Sequence, residues 1–147
     1  MTPMKEDYLK IIFELGGGRK KVSNKEISLG LGIAAGSVTE MITKLADEGL
    51  VEHEPYAGIA LTEKGGRYAA ELVRKHRLWE TFLVDKLHYN MTDVHPEAEI
   101  LEHKTSDHLA TALDGGEVNE HVVTSFAGDK PVTLFVIKPL NSSLFHG

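Results

Sequence analysis

The chain has 147 residues, 41% of them hydrophobic and 26% charged, a formal net charge of −6 and no cysteine. That length allows one domain with a proper core or two small modules sharing an interface; the lack of cysteine excludes disulfides and thiolate ligands, and no run of about 18 apolar residues marks a membrane span. Charge is uneven: residues 1–75 carry 11 basic and 11 acidic side chains, whereas residues 76–147 carry 5 and 11, with seven of the eight histidines.

Glu6 to Leu15 places Tyr8, Leu9, Ile11, Ile12 and Leu15 at helical spacing. Gly16, Gly17 and Gly18 stop that helix, and Arg19, Lys20 and Lys21 form a basic loop. Ser23 and Glu26 have the spacing of a capping box, which predicts a second helix to about Leu31, broken by Gly32. A third helix is predicted from Gly36 and Ser37 through Val38, Met41, Ile42 and Leu45 to Gly49. Leu50 to Glu54 and Ile59 to Thr62 read as a hairpin around a turn-rich tip at Pro55 to Gly58. A long helix follows over Glu63 to Leu87, then one over Asp93 to Lys104 with Pro96 in its first turn, then one capped by Ser106 and running through Leu113. Beyond Gly116 the apolar run Val132 to Ile137 is strand-like, with His121 to Thr124 as its one candidate partner.

The fold class is therefore mainly α with a small β-hairpin wing. Helix, glycine turn, helix and hairpin is the order of a winged helix-turn-helix, assigned here to residues 3–75. The second helix of the pair would enter the major groove of double-stranded operator DNA. Its N-terminal end offers Ala34, Ala35, Gly36, Ser37, Thr39 and Glu40, where small residues permit close approach and hydroxyls reach bases or phosphates. Thr43, Lys44, Lys25, Lys64 and Tyr56 at the hairpin tip are candidate phosphate contacts. With no net positive charge in this half, such binding rests on local placement of lysines. The same pattern also fits a three-helix packing unit that never touches nucleic acid.

Residues 76–114 form a helical segment rich in metal-ligating side chains. Glu99, Glu102 and His103 stand at i, i+3 and i+4, and His76 and Glu80 at i and i+4, so each set projects from one helix face. Two helices meeting along those faces assemble a divalent-metal site of oxygen and nitrogen donors without sulfur. Asp7, one turn into the first helix, adds a carboxylate near a positive helix end. The alternative is a set of solvated side chains making weak contacts along a helix. Enzyme signatures are missing: no His-Glu-x-x-His, no Gly-x-Ser-x-Gly and no P-loop occur, so the chain is read as no enzyme.

Pro3 to Leu9, Ser37 to Met41, Leu61 to Gly65, Arg74 to Leu78 and Glu97 to His103, taken in order, resemble the diphtheria toxin repressor family. They look most like its manganese-responsive branch, and the resemblance covers about residues 3–114. It implies a homodimer that binds operator DNA when loaded with Mn(II), or with Fe(II) as the second choice, usually to repress metal-uptake genes. Matched position by position, it implies metal ligands at Asp7, Glu99, Glu102 and His103, and at His76, Glu80 and His95 of a neighbouring ancillary site. Where one subgroup has a second N-terminal carboxylate, this chain has Lys10, which argues against that subgroup's closely spaced binuclear centre. Residues 115–147 look like neither ending known in the family. The N-terminus has no apolar signal core, so the expected location is cytoplasmic, off the membrane. Two alternatives stand beside this reading: a metal-independent winged-helix regulator, and a small metal-dependent hydrolase built on Glu99 and Glu102.

Overall fold

The computed structural model describes residues 1–115, and the strand-like stretches expected at 121–124 and 132–137 lie outside them. In order come α1 (Pro3–Glu14), α2 (Asn24–Leu31), α3 (Ala35–Asp47), β1 (Val51–Glu54), β2 (Gly58–Leu61), α4 (Glu63–Leu87), α5 (Met91–Glu102) and α6 (Asp107–Gly115). The chain divides into two compact units inside α4, one ending at Ala70 and the other beginning at Glu71.

In the first unit, α1 starts three residues earlier than its apolar periodicity suggested. The Thr2 hydroxyl accepts the Lys5 N–H, and Pro3 occupies a first-turn position that needs no N–H. The capping box of α2 is formed in both directions. Ser23 Oγ accepts the Glu26 N–H at 3.1 Å, and Glu26 Oε2 accepts the Ser23 N–H at 2.8 Å. Gly32, with φ of 66°, closes α2 in the left-handed region that favours glycine.

The two strands pair antiparallel from Val51 against Leu61 to Glu54 against Gly58. Val22 adds a bridge to Ile59 through two backbone bonds of 2.7 and 2.8 Å, a third contact to the wing that the sequence pattern did not show. Tyr8, Leu9, Ile12, Ile27, Val38, Ile42, Leu45, Leu50 and Ile59 close the core. Each such side chain contributes about 1.5–3 kcal/mol when fully buried. Burial of Val38, Ile42 and Leu45 turns one face of α3 inward and leaves its opposite face to solvent.

Gly65 anchors α4 to this core. A Cβ there would lie 1.9 Å from the Leu50 carbonyl oxygen, so only glycine allows the helix to start against that backbone. Thr62 completes the junction: its hydroxyl donates to the Gly49 carbonyl at 2.7 Å and accepts the Gly65 N–H at 3.1 Å.

In the second unit, α5 begins at Met91 because Asn90 Oδ1 accepts the N–H groups of Thr92 and Asp93. This corrects the sequence reading of Pro96, which stands inside the helix and not in its first turn. Ser106 caps α6 as expected, accepting the Leu109 N–H at 3.1 Å, although the helix continues past Leu113 to Gly115. Leu83 and Val94 pack with Val84, Tyr89 and Leu101. Arg74 pairs with Asp114 at 3.1 Å and Lys75 with Asp107 at 3.1 Å, tying α6 to α4.

Candidate functional site

The 3.6-residue period puts His76 and Glu80 on one face of α4, and the same period puts His95, Glu99 and Glu102 on one face of α5. Within the second unit these faces meet. His76 Nε2 lies 2.9 Å from Glu80 Oε1 and 3.0 Å from His95 Nδ1, and Glu80 Oε1 lies 3.0 Å from His95 Nδ1. The other side of the His76 ring faces α5, with Nδ1 2.5 Å from Glu102 Oε2 and 3.7 Å from Glu99 Oε1. Two groups able to hold an ion result, His76 with Glu80 and His95, and His76 with Glu99 and Glu102; the ligand atoms of each lie within 4.8 Å of one another.

His76, Glu80 and Glu102 are each no more than 2% exposed, whereas His95 and Glu99 open toward solvent. Burying ionisable side chains this deeply is costly unless they are paired or coordinate a metal. Burial pushes the Glu80 carboxyl up. The hydrogen bond and charge of His76, the charge of Arg77 and the hydrogen bond from His95 outweigh it and hold the group at about 2. Glu80 is therefore ionised at neutral pH, as a ligand must be.

The donor set fits a hard or borderline divalent cation. Adjacent ligands of a six-coordinate ion about 2.1 Å from its donors are about 3.0 Å apart. The three separations among His76, Glu80 and His95 lie at that value. Carboxylates with imidazoles and no sulfur suit Mn, Fe, Co or Zn.

Sequence reasoning missed Arg77. Its guanidinium is buried and donates through Nη1 to Glu80 Oε2, while its Nε and Nη2 are buried without a hydrogen-bond partner among the described residues. The i, i+3 relation to Glu80 was readable in the sequence. Nothing in the sequence showed that both side chains would be buried. His103 is the C-cap of α5, with Nε2 3.7 Å from Glu102 Oε1. Asp7 and Lys10 lie on α1 of the first unit, Asp7 partly buried and Lys10 buried.

The first unit presents the candidate nucleic-acid interface. Lys25, Ala35, Gly36, Ser37, Thr39, Glu40, Thr43, Lys44, Tyr56 and Lys64 are all exposed. Several of their polar groups have uses inside the protein. The Thr39 hydroxyl accepts from Asn24 Nδ2 at 2.6 Å and donates to the Ala35 carbonyl at 3.1 Å, joining α2 to α3. Glu40 pairs with Lys44 at 2.9 Å, so this acid on the candidate interface is balanced by a neighbouring lysine. Lys64 donates to the Glu48 carbonyl at 3.2 Å. Tyr56 takes a positive φ of 65° at the wing tip and is fully exposed.

An exposed helix in a winged helix-turn-helix, on the same chain as a helical unit with clustered metal donors, defines a class: DNA-binding regulators that carry a metal-binding helical unit. Residues 1–59 match the family model described as iron dependent repressor, N-terminal DNA binding domain. Residues 62–116 match iron dependent repressor, metal binding and dimerisation domain. The chain belongs to the diphtheria toxin repressor family of metal-dependent transcriptional regulators, in its manganese-regulator branch.

Among its relatives, the HTH-type transcriptional regulator MntR of Oceanobacillus iheyensis is 33% identical over 71% of this chain and 71% of its own. An uncharacterized HTH-type transcriptional regulator of Methanocaldococcus jannaschii is 36% identical over 77% of this chain and 91% of its own. The solved structure of the manganese regulator SloR is 49% identical with a TM-score of 0.66, covering 78% of this chain and 53% of that one. The chain thus spans about half the length of the solved manganese regulators it matches. No helix of the described residues is long and apolar enough to cross a membrane.

Proposed function

We propose that the protein is a Mn(II)-responsive repressor of metal-uptake genes, with Fe(II) as the alternative activating ion, that acts as a homodimer on operator DNA in the cytoplasm and catalyses no reaction. One observation carries this reading: the convergence of His76, Glu80 and His95, with Glu99 and Glu102 beside them, on the helical unit of a winged-helix chain. The relatives named as manganese regulators support the choice of ion.

His76, Glu80 and His95 make up one donor set. Glu99, Glu102 and His103 make up the other, to which Asp7 is assigned from sequence. A bound divalent cation would place positive charge among these crowded carboxylates. Arg77 donates to Glu80 Oε2 and so keeps the carboxylate turned, with Oε1 directed at the two imidazoles. His76 belongs to the first set and its Nδ1 lies 2.5 Å from Glu102 Oε2 of the second, which links the two. In the winged helix, Ala35, Gly36 and Ser37 lead α3 into the major groove, while Lys25, Thr43, Lys44, Lys64 and Tyr56 meet phosphates. Regulation follows if the loaded dimer holds its two recognition helices at the half-site spacing more often than the free one does.

The test is a mobility-shift titration. The DNA is a duplex selected from a random-sequence pool by the Mn(II)-loaded protein, titrated in Mn(II) and in chelator. Mn(II) is expected to tighten binding at least about tenfold, a coupling of about 1.4 kcal/mol. Equal affinity in the two conditions overturns the regulatory reading, and binding that needs no metal marks a metal-independent regulator.

A further inference from the structure

Trp79 is the single tryptophan of the chain and stands on α4 between His76 and Glu80. Its ring packs edge-on against Phe82 at 5.7 Å, and its indole Nε1–H donates to Thr105 Oγ1 at 2.6 Å. Thr105 is only 6% exposed, and its hydroxyl donates in turn to the Leu101 carbonyl at 2.7 Å. That carbonyl belongs to the last turn of α5, beside Glu102, and also accepts the Lys104 N–H at 3.1 Å. A two-bond relay therefore runs from the ligand-bearing stretch of α4 to the end of α5 that carries Glu102 and His103.

Without an ion, the contacts between these helix segments at the metal centre depend on charge. Glu80, Glu99 and Glu102 crowd around two imidazoles, so attraction and repulsion between charged groups act side by side there. The relay is different in kind. Both of its bonds join neutral groups, and the Thr105 hydroxyl is used at once as acceptor and donor. A side chain of the same shape without the hydroxyl would leave the indole N–H with no acceptor from residue 105.

We infer that Trp79 and Thr105 are positioning residues of the metal centre, whose neutral relay pins the end of α5 to α4 before any ion arrives and so sets the affinity of the site. Ligands held in place in advance spare binding the cost of ordering them, which is how partners outside the ligand shell tune metal sites. The inference rests on the metal-regulator reading above and adds to it a device made of residues that touch no metal.

The experiment uses the full chain with Mn(II) as the probe. Thr105→Val removes the hydroxyl at constant shape, Thr105→Ser restores it, and Trp79→Phe removes the indole N–H. In chelator, the one indole N–H resonance of the parent is expected at a hydrogen-bonded position, to move in Thr105→Val and to return in Thr105→Ser. By calorimetry, Thr105→Val is expected to weaken Mn(II) binding about tenfold, with Thr105→Ser within about twofold of the parent. Trp79→Phe combined with Thr105→Val is expected to be no worse than Thr105→Val alone, because that substitution already breaks both bonds of the relay.

A Thr105→Val chain whose indole resonance has moved but whose Mn(II) affinity matches the parent overturns this inference and leaves the metal reading intact. Losses that simply add in the double variant overturn it as well. A parent that binds no Mn(II) overturns both. Should Thr105→Val fail to fold, Trp79→Phe, which leaves Thr105 in place, decides through its Mn(II) affinity: a value matching the parent overturns the inference.

Discussion

Replacing Glu80 by glutamine removes one charge from a side chain that is 2% exposed and has both oxygens in use. Oε1 faces His76 Nε2 and His95 Nδ1, and Oε2 accepts from Arg77. A carboxamide has a single oxygen for these two sides, so its NH2 must face either the imidazoles or the guanidinium. The carboxyl stands at about 2 in the folded chain against an ordinary value of 4.5, with burial opposing the shift and His76, Arg77 and His95 producing it. At about 1.4 kcal/mol per unit, that difference is worth at most about 3.5 kcal/mol of folding free energy. A depressed carboxyl contributes its full stability above about 4.5, and that stability is lost as pH falls toward about 2. Glu80→Gln is therefore expected to lower metal-free stability at pH 7 by about 2 kcal/mol, or about 4–8 °C in Tm. The gap to the parent should narrow below about pH 4.5. Mn(II) affinity should fall at least about 100-fold, since a charged donor is lost outright. Circular-dichroism melts in chelator between pH 7 and pH 3, with calorimetry in Mn(II), read both effects. A variant that melts with the parent at pH 7 and binds Mn(II) equally well refutes the reasoning.

Gly65→Ala should destabilise the chain by about 2–3 kcal/mol, because a Cβ placed 1.9 Å from the Leu50 carbonyl forces α4 away from the winged-helix core; an unchanged Tm would count against that packing. Thr39→Val is expected to cost about 1 kcal/mol of stability by taking the acceptor from the Asn24 amide. Ser37→Ala, on the exposed start of α3, should leave the melt unchanged and weaken operator binding. Melts paired with mobility shifts separate the two, and the reverse pattern would reassign both residues.

Much of the fold was legible because its determinants are local. The Ser23–Glu26 box, the glycine stops and the apolar spacing of α3 act within a turn or two of the chain, so the sequence alone defined the helices and the hairpin. Likewise, i, i+4 spacing is enough to put His76 with Glu80 on one helix face. The start of α5 at Met91, which puts Pro96 in its interior, is local too: it follows from the Asn90 side chain capping Thr92 and Asp93, a signal that the reading of Pro96 as a first-turn proline passed over. Other features depend on groups far apart in sequence. That Val22 joins the wing, and that Gly65 is needed at all, depends on which backbone comes to lie opposite. At the candidate metal centre, the sequence by itself determined the donor types: oxygen and nitrogen, no sulfur, on two helices. Only the tertiary structure decided that His76 stands between both donor groups, that Arg77 is buried against Glu80, and that Trp79 reaches Thr105. The reason is physical. Periodicity assigns a side chain to a face, but burial, ionisation and hydrogen bonding are set by what packs against that face, and those partners lie 15–26 residues away in the chain.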